Sequence, residues 1–471
     1  MRIVILGGGH TAWMAAAFLG QSLKASDGRP LAQLRVIDTP TSATPRTLSA
    51  LPDLRRLHQR IGVNEAQLFT EARALPFYAS LYEGFGPQPF WRGFGDYGAR
   101  LNTAGFHHLL TWQALNGEAV SIDDYAPAVR MAQTGRFTPP VTAADSPLAS
   151  VAHGLNLDAA AYTTLLQGAA PMVARSAGTP VALRRDDRGA VTAIQLGDGQ
   201  RLEGDFFIDA DGWLMTQLAV PFVAAGGLSH DRYLEVSAPH DDARAANRFR
   251  AVDGGWALRR SVVGEDRIRW VYDSHKLTPE QLRAGLGADF AAPQVLRQGR
   301  PERFWTGNVL ALGDAAGLLD GVGLHELMLI RHGLTQFLTL FPDRDNAPAL
   351  AQEYNRLMTQ AFDRTADFAR LHYPEPTQGW PDSVRQKIRY FQSRGHIYRC
   401  EEETASEADL LAVLWGRGLR PERYDRTIDA LDGAVTRKRL EQMRNIINHE
   451  INRLPSFAVL RQQIEQAAIR K

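Results

Sequence analysis

The alternation of apolar and polar positions divides the chain into recognisable elements. Arg2 to Leu6 is a short apolar run of the kind a parallel sheet buries on both faces, and Thr11 to Leu19 is an Ala-rich helix. Leu34 to Asp38 is a second apolar strand, ending on an acid. Leu54 to Ile61 places Leu54, Leu57 and Ile61 on one helical face, and Glu65 to Tyr82 reads as a further amphipathic helix kinked at Pro76. Leu155 to Leu166 begins a helix with Asp158 near its start. Ala190 to Leu196 and Arg201 to Phe207 flank Gly197-Asp198-Gly199, a hairpin signal, and the second strand runs on into Phe207-Ile208-Asp209-Ala210-Asp211-Gly212. Alternating strands continue from Arg232 to Asp273. Asn308 to Leu312 is a strand delivering Gly313-Asp314-Ala315-Ala316-Gly317, with a helix from about Gly323 to Phe341. Beyond Asp343 the chain is helical and charged, broken at Pro374, Pro376 and Pro381, and Thr436 to Ile451 repeats Leu440, Met443, Ile446 and Ile447 at helical spacing.

The first strand and helix enclose Gly7-Gly8-Gly9-His10-Thr11-Ala12, a GxGxxA loop. Gly7 suits a tight strand-to-helix turn, Gly9 lets a pyrophosphate approach the backbone, and Ala12 lets the helix pack on the strand. The phosphates would rest on the N–H groups that open the helix, around His10 and Thr11. Asp38 stands where a carboxylate takes the adenosine ribose hydroxyls; a cap or loop acid is the alternative. The Gly313-Asp314-Ala315-Ala316 turn adds a second signal, because in flavin-binding sheets such a carboxylate accepts hydrogen bonds from ribityl hydroxyls. The pairing of the two motifs favours FAD over NAD.

Composition narrows the class. The 471 residues, 44% hydrophobic, suit a large globular enzyme of two or three domains, and a net charge of +1 implies no nucleic-acid or membrane partner. One cysteine, Cys400, excludes an internal disulfide and points to a reducing, cytoplasmic setting. No apolar run approaches the ~18 residues of a membrane span. Three glycines interrupt the opening apolar segment, so it is expected to stay on the mature protein. Phe85, Phe90, Trp91, Phe94 and Tyr97, followed by Phe106-His107-His108 and Trp112, read either as core aromatics or as the wall of an aromatic pocket. The two histidines lack a metal-ligand partner spacing, and no metal centre is expected.

Several stretches together carry a family resemblance: Gly7 to Ala16, Phe94-Gly95-Asp96-Tyr97-Gly98 with Phe106-His107, Asn156-Leu157-Asp158, Phe207-Ile208-Asp209, Trp270-Val271-Tyr272, Phe304-Trp305 with Gly307-Asn308, Gly313 to Gly317, and Gly395 to Tyr424. In order and spacing they resemble the flavin-dependent tryptophan halogenase family over nearly the whole chain. The resemblance implies an α/β, FAD-binding Rossmann-like (GR2-type) flavoprotein monooxygenase fold, with a mixed-sheet substrate module and a C-terminal helical region. The expected division is an FAD module over 1–341, interleaved with substrate-module segments at roughly 75–150 and 215–290, and a helical remainder over 342–471. In that family a separate reductase delivers reduced FAD, oxygen converts it to a flavin hydroperoxide, halide attacks, and a lysine and a glutamate place the electrophile on the substrate.

This sequence departs from that pattern at several sites. Counting back from Tyr82-Glu83-Gly84-Phe85 puts Phe77 at the family lysine, and none of the five lysines (Lys24, Lys276, Lys387, Lys438, Lys471) is near in sequence. A phenyl ring cannot donate a hydrogen bond to hypohalous acid. Leu318 to His325 is shorter than the family segment and lacks its Glu-Ser-Thr, which removes the usual glutamate and halide-binding backbone. Of WxWxIP only Trp256 remains, with Leu258, Arg260 and Ser261 at the other places. The flavin strap has become Pro45 to Ala50, and the segment from Tyr373 to Trp380 is shortened. Asp320 or Glu326 is a candidate for the lost glutamate and His325 for an acid or base; the alternative is that all three cap or decorate a rewired turn. Arg46 reads either as an FAD phosphate ligand or as a solvated side chain.

The expectation is an FAD-dependent oxidoreductase using oxygen on a small aromatic or indolic substrate, supplied by a separate flavin reductase and not relying on the lysine relay. A homodimer is an open quaternary state. The alternatives are a catalytically silent flavin-fold protein that binds a metabolite or partner, and halogenation by a rebuilt site.

Overall fold

The computed structural model describes residues 1–41, 45–99, 104–141, 143, 146–286, 290, 292–342, 348–374 and 379–470. Pro376, Lys471 and parts of the 137–147 linker and the 373–380 segment lie outside them. Contacts divide the chain into two compact units: Met1–Ala74, Leu157–Glu235 and Phe290–Ala366 form one, and Leu75–Asn156, Val236–Asp289 and Asp367–Lys471 the other. No helix among the described residues is long and apolar enough to cross a membrane.

The first unit is organised on a six-stranded sheet in the order Trp305–Thr306, Val309–Ala311, Phe206–Asp209, Arg2–Leu6, Gln33–Asp38, Ala174–Ala177. All neighbours run parallel except Trp305–Thr306. Ile3, Ile5 and Leu6 of the central strand are fully buried, each contributing about 2 kcal/mol relative to exposure. The crossover helix His10–Ser22 follows the first strand directly. An antiparallel sheet of Arg201–Glu203, Val191–Leu196 and Pro180–Arg185 carries the expected hairpin, closed by Leu196 N donating to Gln200 O at 2.8 Å. In the same unit His58 Nε2 and Tyr162 OH, both buried, are 2.8 Å apart. Burial holds the imidazole down to about 4, well below its ordinary value.

The second unit carries antiparallel strands Glu265–Tyr272, Gly255–Val262 and Ala246–Val252, extended by Ala79–Glu83 parallel to the last of these and by Phe90–Gly93 antiparallel to that. Its helices include Phe106–Leu115, Asp382–Arg394, Glu407–Gly416 and Gly433–Asn452, and Leu109, Leu110, Phe391, Leu414 and Leu440 share one core cluster. Lys387 and Glu403 form a buried ion pair.

Two expectations from periodicity are corrected. The helix at Glu65 ends at Glu71; Arg73 then takes a left-handed φ of 52°, and Leu75–Phe77 and Ala79–Glu83 are strands. Residues 75–82 are buried without interruption, so they have no solvent face for a helix to present. Pro76 sits in a short strand paired with Leu155, not at a helix kink. That partner strand, Gly154–Asp158, likewise replaces the first turn of the helix expected at Leu155. The helix is Ala159–Gly168, with Asp158 as its N-cap accepting from Ala161 N at 2.9 Å.

The aromatic loop mostly supplies core. Trp91, Tyr97 and Phe106 are buried in the main cluster, and Phe85 and Phe90 pack on Tyr82. His107 Nε2 lies 2.6 Å from Gly395 O and its ring meets that of His108 at a tilt of 35°, centroids 4.3 Å apart, a structural arrangement.

Candidate FAD site

Gly7 turns with φ +144°, and a Cβ there would lie 3.0 Å from the Ala210 Cβ and 3.3 Å from the Ala12 Cβ. Gly9 is different: a Cβ added to it would meet nothing within 4 Å. The helix His10–Ser22 starts at Gly9 with no side-chain cap and no acid in its first turn. Its opening N–H groups, at the positive end of the helix dipole, therefore face room that a phosphate fits.

The second motif lands on the first. Gly313–Ala316 is a 3-10 turn directly after Val309–Ala311. Gly313 has φ +57°, and a Cβ on it would stand 2.4 Å from Thr11 Oγ1, so only glycine lets this turn pack on the start of the helix. Thus Gly7, Gly9, His10, Thr11, Ala12, Gly313, Asp314, Ala315 and Ala316 belong to one neighbourhood of the first unit. Asp38 borders it, since a Cβ on Gly8 would be 3.0 Å from Asp38 Oδ1. The Asp38 carboxylate already has partners: Trp13 Nε1 donates at 3.4 Å, and Arg175 forms an ion pair with it.

Asp314 is engaged as well. Arg46 Nη1 and Nη2 donate to its two carboxylate oxygens at 3.2 and 3.3 Å, and Nη2 donates to Glu326 Oε1 at 2.6 Å. Burial opposes the charge on Arg46, but Asp314 and Glu326 outweigh it and raise the guanidinium well above its ordinary value. His10 Nε2 lies 3.2 Å from the same Glu326 oxygen, without hydrogen-bond geometry. Arg46 is therefore partly buried and paired with two carboxylates; it ties the residue before strand Thr47–Ala50 to the Gly-Asp turn and to the helix Glu326–Thr339.

Asp320 belongs to a second, buried cluster. Its N–H donates to Gln298 Oε1 at 2.9 Å, its Oδ1 accepts from Val322 N at 3.2 Å, and its Oδ2 lies 3.3 Å from His230 Nδ1. Gln298 Nε2 in turn donates to His230 O at 2.8 Å. His325 is buried at the N-cap of Glu326–Thr339, after Leu324 in a left-handed φ of 61°. Arg175, His230 and Gln298 escaped the sequence reading; each is distant in sequence from its partner, and no local motif marks them.

In the second unit Phe77 is 1% exposed and meets Phe94 edge-on at 5.3 Å. Trp256 Nε1 donates to Tyr373 OH at 2.8 Å, and Ser261 Oγ donates to Asp266 at 2.7 Å.

A tryptophan halogenase family profile matches residues 2–433. Among curated relatives, tryptophan 6-halogenase SttH of Streptomyces toxytricini is 26% identical over 322 residues, 60% of this chain and 61% of that enzyme, so the chain spans about three fifths of that relative's length. Tryptophan 7-halogenase RebH of Lentzea aerocolonigenes is 24% identical over 408 residues, 79% and 76% of the two chains. Among solved structures, BrvH, a flavin-dependent halogenase from Brevundimonas sp. BAL3, superposes with a TM-score of 0.91 at 26% identity, covering 98% of this chain and 99% of that one. Xcc4156, a flavin-dependent halogenase from Xanthomonas campestris, gives 0.90 at 25%, covering 98% of each. With the glycine loop and the Gly-Asp turn in contact, these matches establish that the chain belongs to the tryptophan halogenase family, FAD-dependent enzymes of the oxidoreductase type.

Proposed function

We propose that this protein holds FAD against Gly7 to Ala12 and Gly313 to Ala316, and uses its reduced form with oxygen to oxidise a small aromatic or indolic compound without a lysine relay. What supports this reading is a contrast: the room at Gly9 and the helix start beside it suit a nucleotide, while the resemblance puts Phe77, which is buried, where the family has its lysine. Reduced flavin supplies the two electrons that activate oxygen. The chain's own residues bind and orient: amides at His10 and Thr11 receive the phosphates, Asp38 serves the ribose once it shares or releases Arg175, and Asp314 serves the ribityl hydroxyls with Arg46 fixing its direction. Asp320, held by Gln298 and Val322, keeps the shortened turn in shape. Glu326 and His325 stay the candidates for proton handling. A cytoplasmic setting, a separate flavin reductase and a homodimer complete the reading, as does an FAD module over 1–341 interleaved with substrate segments.

The test is titration with oxidised and reduced FAD, followed by oxygen uptake with a panel of indoles and phenols in saturating bromide. Binding and an oxygenated product free of halogen are expected. Peroxide as the sole product with every compound, or a brominated product, overturns the reading. One observation favours a second one: Asp38 and Asp314 are both ion-paired within the protein, as in a flavin fold that no longer turns over. Absence of FAD binding to high micromolar concentration selects it.

A further inference from the structure

The helix Phe457–Ile469 is tied to the rest of the second unit in two different ways. Its start is anchored by backbone and apolar contacts: Phe457 N donates to Gly135 O at 2.8 Å, and the Phe457 side chain is buried. Beyond the start only Ile464 is buried, and polar side chains do the fastening. Both of their bonds go to one loop, residues 239–245, between strands Arg232–Ala238 and Ala246–Val252. Arg461 Nη1 donates to Asp242 O at 2.8 Å, and Glu465 Oε1 lies 3.1 Å from His240 Nε2. Positions 461 and 465 are one helical turn apart and share a face.

His240 has a carboxylate on each side. Its Nδ1 is 2.8 Å from Asp266 Oδ1, and its Nε2 faces Glu465. Asp266 is buried and also accepts from Ser261 Oγ at 2.7 Å, Arg259 Nη1 at 2.8 Å and Asp241 N at 3.2 Å. Burial opposes its charge, but the imidazole and these donors outweigh it and hold the carboxyl below its ordinary value. The remaining charges of the loop are paired with arginines: Asp241 with Arg248 and Arg259, and Asp242 with Arg244. An ionised carboxylate only accepts hydrogen bonds, a neutral imidazole has one N–H, and an imidazolium has two. The ring therefore serves both acids only when it carries both protons. With one, the proton stays on Nδ1 beside buried Asp266, and the Nε2 lone pair is turned on the Glu465 carboxylate.

We propose that His240 is a proton-operated clasp for the helix Phe457–Ile469. The doubly protonated ring holds the later turns on the 239–245 loop; loss of the Nε2 proton lets them open while the start of the helix stays anchored. The clasp lies wholly in the second unit and works independently of flavin.

Backbone hydrogen exchange of the full-length protein tests this, at about pH 5.5 and about pH 8.5, on either side of the ordinary imidazole range and corrected for intrinsic rates. In the wild type, protection over residues 461–469 should fall about fivefold between the acid and the alkaline buffer, as loss of one partly exposed charge pair allows. Glu465→Gln should give a flat profile, because an amide can accept from Nε2–H and can also donate to the Nε2 lone pair. His240→Leu should be as loose in both buffers as the wild type is in alkali. The helix Gly433–Asn452, in the same unit, should keep its protection throughout. A flat wild-type profile, a Glu465→Gln variant that loosens as the wild type does, a tight helix in His240→Leu, or a parallel fall over Gly433–Asn452 overturns the proposal. Glu465→Gln decides it where His240→Leu does not fold.

Discussion

Arg46 reaches across 280 positions of sequence to Glu326, Nη2 standing 2.6 Å from Oε1, and the same guanidinium grips Asp314 with both terminal nitrogens. This contact fixes the segment before strand Thr47–Ala50 to the Gly-Asp turn. Arg46→Ala should destabilise the first unit by about 1–2 kcal/mol, and in a double-mutant cycle with Glu326→Gln the pair should show coupling of about 1 kcal/mol. Urea unfolding at low and at 1 M salt checks it; the coupling should shrink in high salt, because the groups are only partly shielded from solvent. Strict additivity would show that the pair contributes nothing.

The two glycines of the nucleotide site should fail in different ways. Gly9→Ala should leave the fold intact, since the added Cβ meets nothing within 4 Å, but it intrudes on the phosphate room and should weaken FAD binding about tenfold, about 1.4 kcal/mol. Gly313→Ala drives a methyl into Thr11 from a left-handed backbone, and should cost about 2–4 kcal/mol of stability. Flavin fluorescence titration together with thermal unfolding separates the two outcomes.

Stability should fall on mild acidification. His58 is neutral in the fold down to about 4, whereas in the unfolded chain it takes a proton near pH 6.5. Its contribution is fully present above pH 6.5 and is lost as pH drops toward 4, by about 3 kcal/mol in total. His58→Phe should flatten that part of the profile, as read by urea midpoints between pH 4 and 7. An unchanged slope would show that His58 is not its source.

The buried pair Lys387–Glu403 should behave asymmetrically. Lys387→Met alone strands a buried carboxylate and should cost about 3–5 kcal/mol, while Lys387→Met with Glu403→Leu should recover most of that loss. Denaturant unfolding of the three proteins checks this. If the double variant is as unstable as the single one, packing and not charge governs the position.

The nucleotide fold was legible because its signals are local. Gly7, Gly9 and Ala12 lie within one turn of chain, and the acid at Asp38 ends the next strand. What was not legible depends on partners far along the chain. Arg175 meets Asp38, and His230 and Gln298 meet Asp320, across 137, 90 and 22 positions (175 − 38, 320 − 230 and 320 − 298). The misread helix at 72–82 has a related cause: its composition permits a helix, but burial on all sides and pairing with Gly154–Asp158 decide for strand.

The first unit is assembled from three stretches of chain that are separated by parts of the other. Its central strand, Arg2–Leu6, gains the neighbour Phe206–Asp209 only when residue 209 has been made, and that strand gains Val309–Ala311 only a further hundred residues later. At ordinary translation speeds the opening strand leaves the ribosome roughly 15–60 s before its sheet can close. Through that interval an apolar sheet with an open edge is available to wrong partners. Newborn chains of this protein should therefore lean on holding chaperones, and a fragment stopped at residue 290 should aggregate instead of yielding a soluble nucleotide-binding half.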